Sequence, residues 1–144
     1  MRRGLGIGRT LIAVGSTLAL IGCFLPWLTA GELSGQVVTE NGLNGTGILV
    51  FLASIGMLLL IALPYASSSG TSPLDKPLLY ASLAGAGIAG LVIHVVQLLD
   101  SLTLWPPTKS LGLWLAIVGM VVVALGVGEL LGETKPRSPV RPKR

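Results

Sequence analysis

Four stretches of the chain are almost entirely apolar, and short polar segments separate them. A helix that crosses a bilayer needs roughly 20 mostly apolar residues. The stretches at 10–28, 47–65, 77–99 and 111–131 each approach or reach that length. They predict an all-α fold: one four-helix transmembrane bundle within residues 1–131, followed by a tail at 132–144. The separators carry turn chemistry. Pro26-Trp27 ends the first run, Pro64-Tyr65 the second, and a serine-glycine segment leads to Pro77, a favoured first-turn residue. Pro106-Pro107 bars any helix between the third and fourth runs.

The positions inside the runs are not equivalent. Steps of three and four link Tyr80, Leu83, Gly87, Gly90, His94, Gln97 and Ser101 into one stripe of the third helix. Gly85 and Ala89 fall nearly opposite it. The fourth helix carries Gly112, Ala116, Gly119, Val123 and Gly126 on a single stripe. Lipid supplies no hydrophobic drive between spanning helices, so small residues that let backbones approach mark their contacts. The expected arrangement sets this seam against the glycine face of the third helix, so that Gly87→Leu or Gly119→Leu disrupts the bundle and His94→Ala does not. The first loop lacks a helical period. Glu32-Leu33 and Gln36–Thr39 around Ser34-Gly35 allow a short β-hairpin over the bundle's end.

Charge adds an orientation. Only 11% of the 144 residues are charged and 51% are hydrophobic, against about 25% charged in an ordinary soluble domain. With four spans, both termini and the middle loop share one side. That side holds Arg2, Arg3, Arg9, Lys76, Lys135, Arg137, Arg141, Lys143 and Arg144, and the other holds only Lys109. Basic residues accumulate on the cytoplasmic side, so both termini are expected there, in a cell membrane or membrane envelope. Trp27, Trp105 and Trp114 are expected at the outer headgroup level, with Tyr65 and Tyr80 at the inner one. The tail repeats proline at 136, 139 and 142, the polyproline period. Its five basic residues suit anionic headgroups or a docking partner. No aromatic stacking platform accompanies them, which argues against nucleic acid.

Candidate chemistry is sparse. An ionisable group within a span is a functional candidate by default, which singles out His94, with Gln97 and Asp100 beyond it. At 1.5 Å per residue, His94 lies roughly 9 Å and Gln97 roughly 13 Å from the midplane of a helix over 77–99, within a half-thickness of about 15 Å. The three form either a ligand- or proton-sensing cluster at the outer mouth or a hydrogen-bonded lock on helix register. Glu129 is close enough to the inner end to snorkel. No second histidine, cysteine cluster or carboxylate pair offers a metal site. No serine or cysteine stands at a readable nucleophile spacing from His94. Neither an enzyme nor a cofactor is expected. The single Cys23 ends a basic-flanked LIGC that resembles a bacterial lipoprotein signal. The apolar run instead continues through Phe24, Leu25, Trp27 and Leu28, which favours a core cysteine in an uncleaved helix.

FLPW at 24–27, a short loop, then Gly42, Gly45 and Gly47 leading into an apolar helix resembles uncharacterised four-span proteins of bacteria and archaea. That resemblance implies an architecture and carries no activity. Small multidrug resistance transporters need a glutamate in the first helix, which has no acidic residue here. Claudins and tetraspanins need cysteines in their outer loops, which have none. The expectation is therefore a non-catalytic subunit of a larger membrane complex or envelope, with partner subunits or copies of itself. The competing expectation is a small oligomeric transporter or channel with its mouth at His94 and Gln97.

Overall fold

In the computed structural model the described residues are 6–30, 38–66, 77–101 and 110–133. They form four helices: α1 (Ile7–Phe24), α2 (Ile48–Ala66), α3 (Pro77–Ser101) and α4 (Leu111–Glu133). All four are long and apolar enough to cross a membrane, the make-up of an integral membrane protein. Between α1 and α2 lie two antiparallel strands, β1 (Pro26–Ala30) and β2 (Val38–Asn41), and a 3-10 turn at Gly45–Gly47.

The first helix ends earlier than hydrophobicity predicts. A residue before proline is pushed out of the helical region by the pyrrolidine ring. Leu25, before Pro26, is accordingly extended (φ −83°, ψ 158°), and α1 stops at Phe24 rather than at 28. The chain from Pro26 to Ala30 becomes strand instead. Its partner is Val38–Asn41, with Leu28 opposite Glu40 and Ala30 opposite Val38. The hairpin exists, but its first strand comes from residues read as helix and as early loop. The expected turn at Ser34-Gly35 lies outside the described residues.

The order of packing also differs from expectation. The small-residue seam of α4 faces α1 and not α3, and α1–α4 is the most extensive helix contact in the bundle. The reason is a matching seam that the third helix lacks. Gly8, Gly15 and Gly22 recur every seven residues along α1 and oppose Gly126, Gly119 and Gly112 along α4. A Cβ on Gly15 would stand 2.6 Å from the Gly119 carbonyl oxygen, and one on Gly119 would stand 2.7 Å from the Gly15 oxygen. The outer two pairs repeat this reciprocity, at 2.8 and 2.7 Å for Gly22–Gly112 and 2.9 and 2.7 Å for Gly8–Gly126. The backbones touch, which any side chain would prevent. A seven-residue period sustained over three repeats keeps the seam facing its partner when the helices wind left-handedly.

The α3 stripe is used differently. Gly87 faces Met120 and Ala53, and Gly90 faces Leu49 on α2. Gly85 and Ala89 are exposed, and a Cβ on Gly85 would meet nothing within 4 Å. Outward positions such as Val14, Leu52, Leu59, Val92 and Leu125 are large, apolar and exposed, as a lipid-facing surface requires.

Two of the expected interfacial aromatics are core residues. Trp27 and Tyr80 are both 0% exposed. Each sits on an inward face, where a large ring fills more of the interior than it would cover at the surface. Trp114 is half exposed. Trp105 and the Tyr65 side chain lie outside the described residues, as do the basic tail residues Lys135, Arg137, Arg141, Lys143 and Arg144.

Candidate functional site

A cluster of polar and aromatic side chains sits at the end of the bundle that the hairpin covers. Its organiser is Trp27. Because β1 starts two residues after α1, the indole folds back beneath the hairpin, and its Nε1–H donates to the Gly22 carbonyl at 2.8 Å. The ring lies on Gly42, where a Cβ would come within 2.5 Å of it. Gly42 is held there by its own N–H, which donates to the Cys23 carbonyl at 3.0 Å. Gly47 packs so closely on the Gly42 backbone that a Cβ there would meet the Gly42 oxygen. Glycine at 42 and 47 is what lets an indole-sized group close this end.

His94 meets Trp27 from the other side. Their ring centroids are 4.8 Å apart at an interplanar angle of 78°, an edge-to-face contact. His94 is 8% exposed. Its Nδ1 stands 3.4 Å from the Thr46 Oγ1, and that hydroxyl donates to the Gln97 Oε1 at 3.3 Å. Thr46 thus bridges the His94 imidazole and the Gln97 amide and joins α3 to the turn that starts α2. Such bonds between spanning helices contribute about 0.6 kcal/mol each on average, with a ceiling near 1.7.

The structure thus brings His94 and Gln97 together through Thr46. Asp100 is exposed and joins no described contact of this cluster. Cys23 is buried in the core beside Trp27. Among the described residues no group of three or more His, Cys, Asp or Glu could hold a metal ion. Deeper in the bundle, Ser16 is fully buried with its hydroxyl 3.8 Å from the Met57 sulfur, and Ser54 returns its hydroxyl to the Val50 carbonyl at 2.7 Å. Arg9 and Glu129 lie at the opposite end, both on exposed or partly exposed positions.

Sequence reasoning missed Trp27, Thr46, Gly42 and the α1 glycines as parts of these arrangements. Equal spacing by seven of Gly8, Gly15 and Gly22 against Gly112, Gly119 and Gly126 was a readable signal for the last. Nothing local distinguishes Thr46 from an ordinary loop threonine. No protein-family model, curated protein or solved structure matches the chain.

Proposed function

We propose that the protein is a non-catalytic subunit of a larger membrane assembly and works through helix–helix contacts. The observation that carries this reading is the division of α3 into two small-residue faces. Gly87 and Gly90 are consumed inside the bundle, while Gly85 and Ala89 stay bare on the outside. A glycine costs helix stability of about 1 kcal/mol relative to alanine, and on the outer face no contact among the described residues offsets that cost. A second helix from another chain would, by approaching closely there.

The excess of basic residues at the end holding both termini supports a cytoplasmic location for that end, with the tail residues Lys135, Arg137, Arg141, Lys143 and Arg144 near anionic headgroups. Membrane-protein partners rather than nucleic acid fit this surface. The second reading, a small oligomeric transporter or channel, draws its support from the buried His94 joined to Thr46 and Gln97 beside an end of the bundle.

The test is substitution of the bare face. Gly85→Leu should release co-purifying partners from a gently solubilised complex while leaving the fold's unfolding midpoint unchanged, and Gly128→Leu, at another open position, should release nothing. Retention of every partner by Gly85→Leu would refute the reading.

A further inference from the structure

On the lipid-facing side of α1 the side chains form two rows with a step of four residues, Arg9–Ala13–Thr17 and Thr10–Val14–Leu18. Rows of this kind leave a groove between them. Ala13, Val14, Thr17 and Leu18 line such a groove, with a volume of about 280 Å³. The small Ala13 lowers one of its walls. Val14 is 51% exposed and Thr17 is exposed too, so the groove opens toward the bilayer.

The hydroxyl groups of this face are tied back into their own helix. Thr17 donates to the Ala13 carbonyl at 2.8 Å, and Thr10 donates to the Gly6 carbonyl at 3.3 Å. Threonines that join spanning helices hydrogen-bond across the contact. Here that proton is used within α1, and the groove presents an almost wholly apolar lining. Such a lining suits a hydrocarbon chain better than a partner helix.

The two rows begin at Arg9 and Thr10, near the start of α1. From Arg9 to Ala13 the helix rises about 6 Å, and to Leu18 about 13.5 Å. Both lie within a hydrocarbon half-thickness of about 15 Å. A chain resting in the groove therefore has its head at the level of Arg9. The first turn of α1 contains no acidic residue, and a Cβ on its N-cap, Gly6, would meet no described atom within 4 Å. The first N–H groups of the helix add positive potential at this open end. Glu129 packs beside Gly8, which lies opposite Thr17 around the helix, and so stands away from the groove. Arg9 already takes part in a contact within the protein. Its guanidinium has five donors, enough to serve a phosphate as well.

We propose that this face is a discrete phospholipid site. One acyl chain lies between the rows along Ala13–Leu18, and the phosphate of an anionic headgroup sits at Arg9 and the start of α1. The site is separate from the basic tail and does not depend on the assembly role.

Native mass spectrometry of the full chain tests it, with release from nanodiscs of mixed phosphatidylglycerol and phosphatidylcholine. The wild type should keep one phosphatidylglycerol at activation energies that strip the remaining lipid. Thr17→Trp and Val14→Trp fill the groove from exposed positions, and each should lose that lipid while the unfolding midpoint stays unchanged. Leu52→Trp, on α2 at a position 56% exposed, should keep it. Arg9→Gln should weaken retention about fivefold, the factor equivalent to about 1 kcal/mol per basic residue near a membrane surface. Excess inorganic phosphate should not displace the lipid, because the chain contributes as much to the site as the head. Retention by both groove variants equal to wild type would overturn the proposal, as would equal loss from Leu52→Trp or displacement by phosphate. Release of another polypeptide by Thr17→Trp, in place of the lipid, would make the groove a helix contact and overturn it too.

Discussion

Replacing Gly119 by alanine adds one methyl group and tests the α1–α4 clasp. The new Cβ would lie 2.5 Å from the Ala19 nitrogen, 2.7 Å from the Gly15 oxygen and 2.9 Å from the Ala19 Cα. All three atoms are backbone, so no rotamer change relieves the clash and the helices must separate. Overpacking a well-filled interior costs typically 1–3 kcal/mol. Here the separation also weakens the Gly8–Gly126 and Gly22–Gly112 approaches on either side, which puts the effect in the upper part of that range. A loss of about 2–3 kcal/mol lowers the folding equilibrium constant roughly 30- to 150-fold, at 1.4 kcal/mol per factor of ten. Reversible unfolding in mixed micelles reads this directly. Gly128→Ala is the matched control, because its Cβ meets nothing within 4 Å on the same helix. Gly87→Ala is the intermediate case, since its nearest neighbour is the flexible Met120 methyl at 2.7 Å. The expected order of loss is Gly119→Ala, then Gly87→Ala, then Gly128→Ala. If Gly119→Ala and Gly128→Ala unfold at the same midpoint, the clasp is wrong.

Other outcomes follow from the covered end. Gly42→Ala should destabilise the protein by about 1–3 kcal/mol and alter the Trp27 near-ultraviolet signal, because its Cβ would enter the indole ring. Trp27→Phe keeps an aromatic ring but leaves the Gly22 oxygen without the indole donor, an expected loss of about 1–2 kcal/mol in the same unfolding assay. Thr46→Val removes the hydroxyl that joins His94 to Gln97. In a double-mutant cycle with His94→Ala the two changes should be non-additive by about 0.5–1.5 kcal/mol, and additivity would mean the hydroxyl does not couple to the imidazole. His94→Ala alone should leave assembly with partners intact, as judged by co-purification.

The bundle was legible because a bilayer makes two demands that sequence displays plainly, enough apolar residues to cross it and turn residues between crossings. Which helices touch was less legible. The α4 stripe of Gly112, Ala116, Gly119, Val123 and Gly126 is visible in the sequence, but its partner is not, because α3 is nearer in sequence and carries a glycine face of its own. Gly8, Gly15 and Gly22 settle the pairing only when two heptad spacings are compared across the whole chain. The end of α1 was misplaced because Leu25, Trp27 and Leu28 are as apolar as the helix before them, whereas the conformation is decided by the ring of Pro26 acting on Leu25. The same error put Trp27 in the headgroups, since a strand starting at Pro26 turns its indole back under the hairpin. His94 and Gln97 share a stripe, so their proximity was foreseeable. Thr46 between them was not, because contacts across 48 and 51 residues depend on how α2 packs on α3.

The most direct measurement is native mass spectrometry of the protein released gently from its own membrane. An assembly subunit should fly as one species in which this chain and at least one other polypeptide occur in fixed ratio, and Gly85→Leu should return it to the mass of the chain alone. A wild-type spectrum showing only the single chain, or only copies of it, would contradict the assembly account.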